Sequence, residues 1–166
     1  MKLMLTMTVM TAMRLTSKST ALQESVRLLS RRALSEKELR IKLCQKGYIS
    51  SEIDAAADRL ISRGYLDDET LCKRLFDYYT NLGGHGLLYI LGKIKMRGLR
   101  TDCLDEQIAD WRKSGQEYEQ AKSVAQQKFS RTGHVADKAR IARTLASKGF
   151  APEIIVRIVG DIGESS

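Results

Sequence analysis

Three glycines constrain this chain more than any other feature. Gly47, Gly98 and Gly149 stand 51 residues apart in both steps. Each follows a cation and precedes a large apolar residue, in the triplets Lys46-Gly47-Tyr48, Arg97-Gly98-Leu99 and Lys148-Gly149-Phe150. The agreement extends outward. Leu39, Ile90 and Ile141 lie eight residues before the glycines, and Leu43, Ile94 and Leu145 lie four before. Ile53, Leu104 and Ile155 follow at six, Ala57, Ile108 and Val159 at ten, and Leu60, Trp111 and Ile162 at thirteen. Spacings of i, i+4 before the glycine and i, i+4, i+7 after it each describe one face of a helix. A helix–turn–helix unit is thus written three times.

Local signals agree with that reading. Ser35 with Glu38 forms a capping box at the start of the first helix of the first pair, and Gly47 is placed to close it in a left-handed conformation. Ser50 or Ser51 can cap the following helix and Thr101 its counterpart in the second copy, while Pro152 takes a first-turn position in the third. A leading amphipathic helix precedes each pair, with stripes Leu22/Val26/Leu29/Ala33, Leu71/Leu75/Tyr78/Leu82 and Tyr118/Ala121/Ala125/Phe129. These leading helices do not keep the repeat register. The expected fold is all-α: three tandem three-helix, helix-turn-helix-like modules over residues 20–66, 67–113 and 114–166. Modules this small bury little core alone, so stacking into an elongated curved body is expected. The glycines of residues 82–86, Leu-Gly-Gly-His-Gly, mark an expected hinge.

Bulk composition excludes several classes. A single proline in 166 residues, with 43% apolar and 29% charged residues, describes a folded helical protein rather than a disordered one. Cys44, Cys72 and Cys103 are odd in number and form no CxxC pair, so they are expected to be reduced, mostly buried side chains in a cytoplasmic protein. The Met-rich start, residues 1–19, is expected to be a loose tail, which a natural start at Met13 would shorten. Its threonines interrupt the apolar run and no cleavage site follows, against a signal peptide, and it is too short to span a membrane.

Catalytic groups are scarce. His85 and His134 are the only histidines and sit in Gly-flanked connections. Residues 83–86 lack the Lys-Ser/Thr of a phosphate loop. Asp67, Asp68 and Glu69 read as a helix start, where carboxylates complement the dipole, rather than as metal ligands. Neither a metal, a cofactor nor an enzymatic activity is expected.

The cations say more. A net charge of +8 points to a polyanion or an acidic protein surface. Lys46, Arg97 and Lys148 precede the turn glycines, Lys42, Arg63, Lys95 and Arg100 lie near the same turns, and Arg31 and Arg32 precede the first. These nine are the candidate partner- and DNA-binding stripe. Capping of helix C-termini by the same cations is the competing role, and the sequence leaves both open.

The segments from Leu34 to Tyr48, Leu60 to Leu71, Gly84 to Leu99 and Leu145 to Phe150 resemble, in order and spacing, the signatures of the RecX family of bacterial recombination regulators. The resemblance covers about residues 21–162 and includes Ser35, Glu38, Leu39, Leu43, Gly47, Gly64, Tyr65, Leu66, Asp67 and Asp68, then Gly84, Gly86, Ile90, Gly98, Gly149 and Phe150. It implies tandem three-helix repeats and a cytoplasmic, monomeric, non-enzymatic regulator of DNA repair. Its partners would be the RecA recombinase filament on single-stranded DNA, whose extension, ATP hydrolysis and strand exchange it would restrain, and DNA itself, duplex included. Two positions depart from the family pattern: Tyr89 stands where a basic residue is usual and Lys93 where an acidic one is. The alternative is a helical-repeat protein acting on DNA directly. Against it, the second helix of each pair is acidic or apolar rather than basic, as in Ser50–Ser62, and acidic helices repel phosphate.

Overall fold

A computed structural model describes residues 19–132 and 138–164. The expected tail, His134 and the side chain of Phe129 lie outside these residues, apart from Ser19, whose carbonyl accepts the Tyr48 hydroxyl at 2.6 Å. Among the described residues there are nine α-helices, one 3-10 helix and no strand. They are α1 (Ala21–Leu29), α2 (Glu36–Gln45), α3 (Ser50–Ser62), α4 (Asp68–Leu82), α5 (Leu87–Met96), the 3-10 helix Asp102–Leu104, α6 (Asp105–Lys113), α7 (Gln116–Thr132), α8 (Lys138–Ser147) and α9 (Pro152–Glu164). Two compact units result. The first comprises the chain up to Leu34 and Leu39–Leu66; the second comprises Ser35–Glu38 and the chain from Asp67 onward.

The first unit closes over Leu39, Leu43, Tyr48, Ile53 and Leu60, all predicted core positions and all buried. Its leading helix α1 differs from expectation. Val26 is 55% exposed, and the inward face carries Glu24 and Ser25 instead. Ser25 is small enough to sit wholly buried because its hydroxyl donates to the Ala21 carbonyl at 2.6 Å. Glu24 is ion-paired by Arg27 and Lys46, both at 3.0 Å. The start of α3 also differs: Ser50 and Ser51 lie in its first turn, and the Glu52 carboxylate accepts the Ile49 N–H at 3.2 Å.

The second unit holds two apolar clusters. Cys72, Phe76, Ile90, Ile94, Leu99, Leu104 and Trp111 form one, with Phe76 and Trp111 edge to face at 6.0 Å. Ala121, Ala125, Ile141, Leu145, Phe150 and Ile158 form the other. On α4 the expected stripe is displaced: Tyr78 and Leu82 are 59% and 61% exposed, while Cys72 and Phe76 point inward. Thr101 does not cap with its side chain; the 3-10 helix intervenes before α6. Pro152 opens α9 as its fixed φ predicts. Residues 83–86 connect α4 to α5, with Gly83 and Gly84 at φ 74° and 73°.

Candidate functional site

The three glycine turns share one geometry. Gly47, Gly98 and Gly149 have φ of 78°, 82° and 75°, a left-handed region that an L side chain adopts only at a cost. The Tyr48 N–H reaches back to the Leu43 carbonyl at 3.2 Å, and Phe150 does the same to Leu145 at 3.2 Å. These bonds satisfy carbonyls that the ending helix leaves open, and they swing the following aromatic ring into the core.

Within the second unit a polar joint is built twice on equivalent repeat positions. The Ser35 hydroxyl donates to the Arg97 carbonyl at 2.5 Å. Fifty-one residues on, the Gly86 N–H donates to the Lys148 carbonyl at 2.9 Å. Each joint has a second bond at the adjoining helix start. The Glu36 N–H donates to Asp68 at 2.8 Å, and its repeat equivalent Leu87 donates to Glu117 at 2.9 Å. A helix N-terminus thereby receives a carboxylate that complements its dipole, while a glycine turn gains a donor for its last carbonyl. Packing is closest at the second joint: a Cβ on Gly86 would lie 2.3 Å from the Gly149 carbonyl oxygen. The connection expected to hinge is seated against its neighbour there.

Ser35 and Glu38 form the predicted capping box, with bonds of 3.0 and 3.1 Å. Glu38 does more. Its two carboxylate oxygens accept Nε and Nη2 of Arg97 at 3.2 and 2.7 Å. Asp67 caps α4 through the Thr70 N–H at 2.9 Å, and its bonds with Thr70 hold its carboxyl below the usual range. Asp68 behaves oppositely, its carboxyl raised chiefly by burial. The Arg27 hydrogen bond, then that of Lys46, lowers Glu24.

The nine predicted cations fall into two groups. Lys46 pairs with Glu24, Arg97 with Glu38, and Lys148 donates to the Gly84 carbonyl at 3.2 Å. All three turn cations therefore serve as ties inside the fold, and the Arg97 side chain is only 18% exposed. Arg100 pairs with Asp102 but keeps an 89% exposed side chain. Arg31, Arg32 and Arg63 are exposed in the first unit and Lys95 in the second, while Lys42 is half-buried. The departing positions come together on α5. Tyr89 stacks on His85 with ring centroids 4.0 Å apart, and the Lys93 ammonium lies 5.1 Å from the Tyr89 ring. Lys148 also lines a cleft of about 550 Å³ with Gly84, Gln120, Ser123, Lys128 and Thr144.

Sequence reasoning missed the partners of these groups. One signal was available: Gly64 and Gly115 are also 51 residues apart and both have φ of 71°, so the turn after the second helix repeats as well. The 51-residue offset linking Ser35 to Gly86 and Arg97 to Lys148 was equally visible, but not that these positions meet.

Helical modules with repeated glycine turns and polar joints define a tandem three-helix repeat protein. The family model of the first RecX three-helix domain matches residues 21–60, and that of the third matches residues 115–159. Regulatory protein RecX of Vibrio vulnificus is 32% identical over 143 residues, 82% of this chain and 89% of that one. Regulatory protein RecX of Acidithiobacillus ferrooxidans is 32% identical over 138 residues, 82% and 86% of the two chains. The crystal structure of RecX from Lactobacillus salivarius superposes with a TM-score of 0.75 at 18% identity, over 87% of this chain and 95% of that one. The chain belongs to the RecX family, whose relatives here are named regulatory proteins. No helix among the described residues is long and apolar enough to cross a membrane.

Proposed function

We propose that this protein is a non-enzymatic, cytoplasmic regulator that binds the RecA recombinase filament on single-stranded DNA and restrains its extension, ATP hydrolysis and strand exchange. Membership in the RecX family carries this reading. The basic surface supports it, because an acidic filament or DNA backbone is the natural complement of a +8 chain. The contacting cations are the exposed ones, Arg31, Arg32, Arg63, Lys95 and Arg100, together with the half-buried Lys42, rather than the three turn cations engaged in the fold.

The test is RecA ATP hydrolysis on single-stranded DNA with this protein titrated in. Inhibition is expected well below the concentration that coats the DNA. A protein acting on DNA directly would need near-stoichiometric coverage and would lose its effect steeply with salt. Arg63→Glu with Lys95→Glu should weaken inhibition several-fold while leaving the melting temperature nearly unchanged. Unaltered inhibition by that folded variant would move the contact to another face.

A further inference from the structure

Cys72 lies on α4 and Cys103 on the 3-10 helix, two elements that pack against each other. Their thiols converge on one acceptor. Cys72 Sγ lies 3.2 Å from the Arg100 carbonyl oxygen and Cys103 Sγ lies 3.8 Å from it. The two thiols are therefore neighbours around a single carbonyl oxygen. Both are free; Cys72 is wholly buried and Cys103 half-buried. One thiol of the pair can be reached from solvent, and the other stands enclosed beside it. Of the three cysteines expected to be mostly buried, Cys44 is exposed.

We propose that Cys72 and Cys103 are a peroxide-responsive dithiol that closes reversibly into a disulfide tying α4 to the 3-10 helix Asp102–Leu104. Cys103 is the entry thiol. Its thiolate attacks one oxygen of hydrogen peroxide, the O–O bond breaks, and the released hydroxide takes a proton to leave as water. The product is a Cys103 sulfenic acid. Cys72 then attacks the Cys103 sulfur, the S–O bond breaks, and the hydroxide leaving with the Cys72 proton is the second water. Two thiols and one peroxide give one disulfide and two waters. A dithiol reductant reverses the step by exchange. Burial, and next the neighbouring Cys103, push the Cys72 thiol up to about 12, so Cys72 does not compete as the entry thiol. The closed loop contains α5 and the Gly98 turn, and closing it restricts the unfolded chain, so the oxidised protein is the more stable form.

This inference is independent of the partner proposed above and is tested on the full chain carrying Cys44→Ser, which removes the exposed third thiol. After a modest excess of peroxide, the intact mass should fall by two hydrogens. A non-reducing peptide map should join the Cys72 and Cys103 peptides, dithiothreitol should restore both thiols, and the melting temperature should be higher before reduction than after. On the same background Cys103→Ser should leave Cys72 a free thiol at that dose. Cys72→Ser should leave Cys103 as a sulfenic acid that dimedone traps. Cys103 passing to sulfinic acid beside an intact Cys72 thiol would overturn the proposal. Oxidation of Cys72 in the folded Cys103→Ser variant would overturn the order of attack.

Discussion

The Arg97 guanidinium is held by both oxygens of Glu38, a residue 59 positions earlier in the chain. Both side chains are less than one-fifth exposed, at 18% and 19%. A forked, partly buried pair of this kind gives direction as well as energy. Because Glu38 also caps its own helix through the Ser35 N–H, one carboxylate fastens two features at once.

Arg97→Ala should therefore cost about 1.5–3 kcal/mol, the scale of hydrogen bonds to charged groups. Arg97→Lys should recover part of this, since an ammonium keeps the charge but loses the fork. Chemical denaturation of the three proteins measures the order. Equal stability of Arg97→Ala and the parent would show the pair to be solvated.

Two glycines separate crowding from backbone strain. Gly86 has φ of −85°, which any residue adopts, but its Cβ would meet the Gly149 carbonyl oxygen and the Phe150 Cα, both at 2.3 Å. Gly64 has φ of 71° and open space around it. Gly86→Ala must displace backbone and should lower stability by about 1–3 kcal/mol or more, as overpacking does. Gly64→Ala pays only the left-handed conformation, about 1–2 kcal/mol. Hydrogen exchange distinguishes them further: Gly86→Ala should loosen the seat of the α5 N-terminus on the Gly149 turn, with faster exchange at the Leu88 amide, which donates to the Gly149 carbonyl at 3.0 Å.

Acid stability follows from carboxyls shifted in opposite directions. Glu24 and Asp67 titrate below their ordinary values in the folded protein, so their contribution is present above the unfolded pKa and disappears as pH falls through the folded one. Asp68 titrates above its ordinary value, so its contribution is fully present below the unfolded pKa and is lost as pH rises through the folded one. Denaturation midpoints from pH 7 down to pH 3 should fall less in Asp67→Asn than in the parent. They should fall more in Asp68→Asn, which lacks the opposing group. Identical pH profiles for the two variants would contradict these assignments.

Much of the fold was legible because helical periodicity and left-handed turns are local properties. Leu43, Ile94 and Leu145 recur four residues before glycines and are wholly buried, since i, i+4 spacing from Leu39, Ile90 and Ile141 puts them on the same face. The leading helices were harder to read. Hydrophobicity alone set Val26 inside, yet the buried face of α1 holds Glu24 and Ser25, whose polar groups are satisfied by Lys46, Arg27 and the Ala21 carbonyl. The sign of a residue's hydropathy reports neither a local hydrogen bond such as Ser25 to Ala21 nor a distant ion pair such as Glu24 to Lys46.

By itself, the sequence determined the helices, the glycine turns with their 51-residue period and the aromatic or aliphatic residue each turn buries, because each follows from spacing within one or two helical turns. Tertiary structure alone decided the use of the polar groups. It set Arg97 on Glu38 and Lys148 on the Gly84 carbonyl, giving fixed partners to cations for which the sequence left capping and binding both open. It also brought Cys72 and Cys103 to one carbonyl. Hydrogen bonds and ion pairs act over about 3 Å, and only the packed core brings residues 28 to 64 positions apart within that reach.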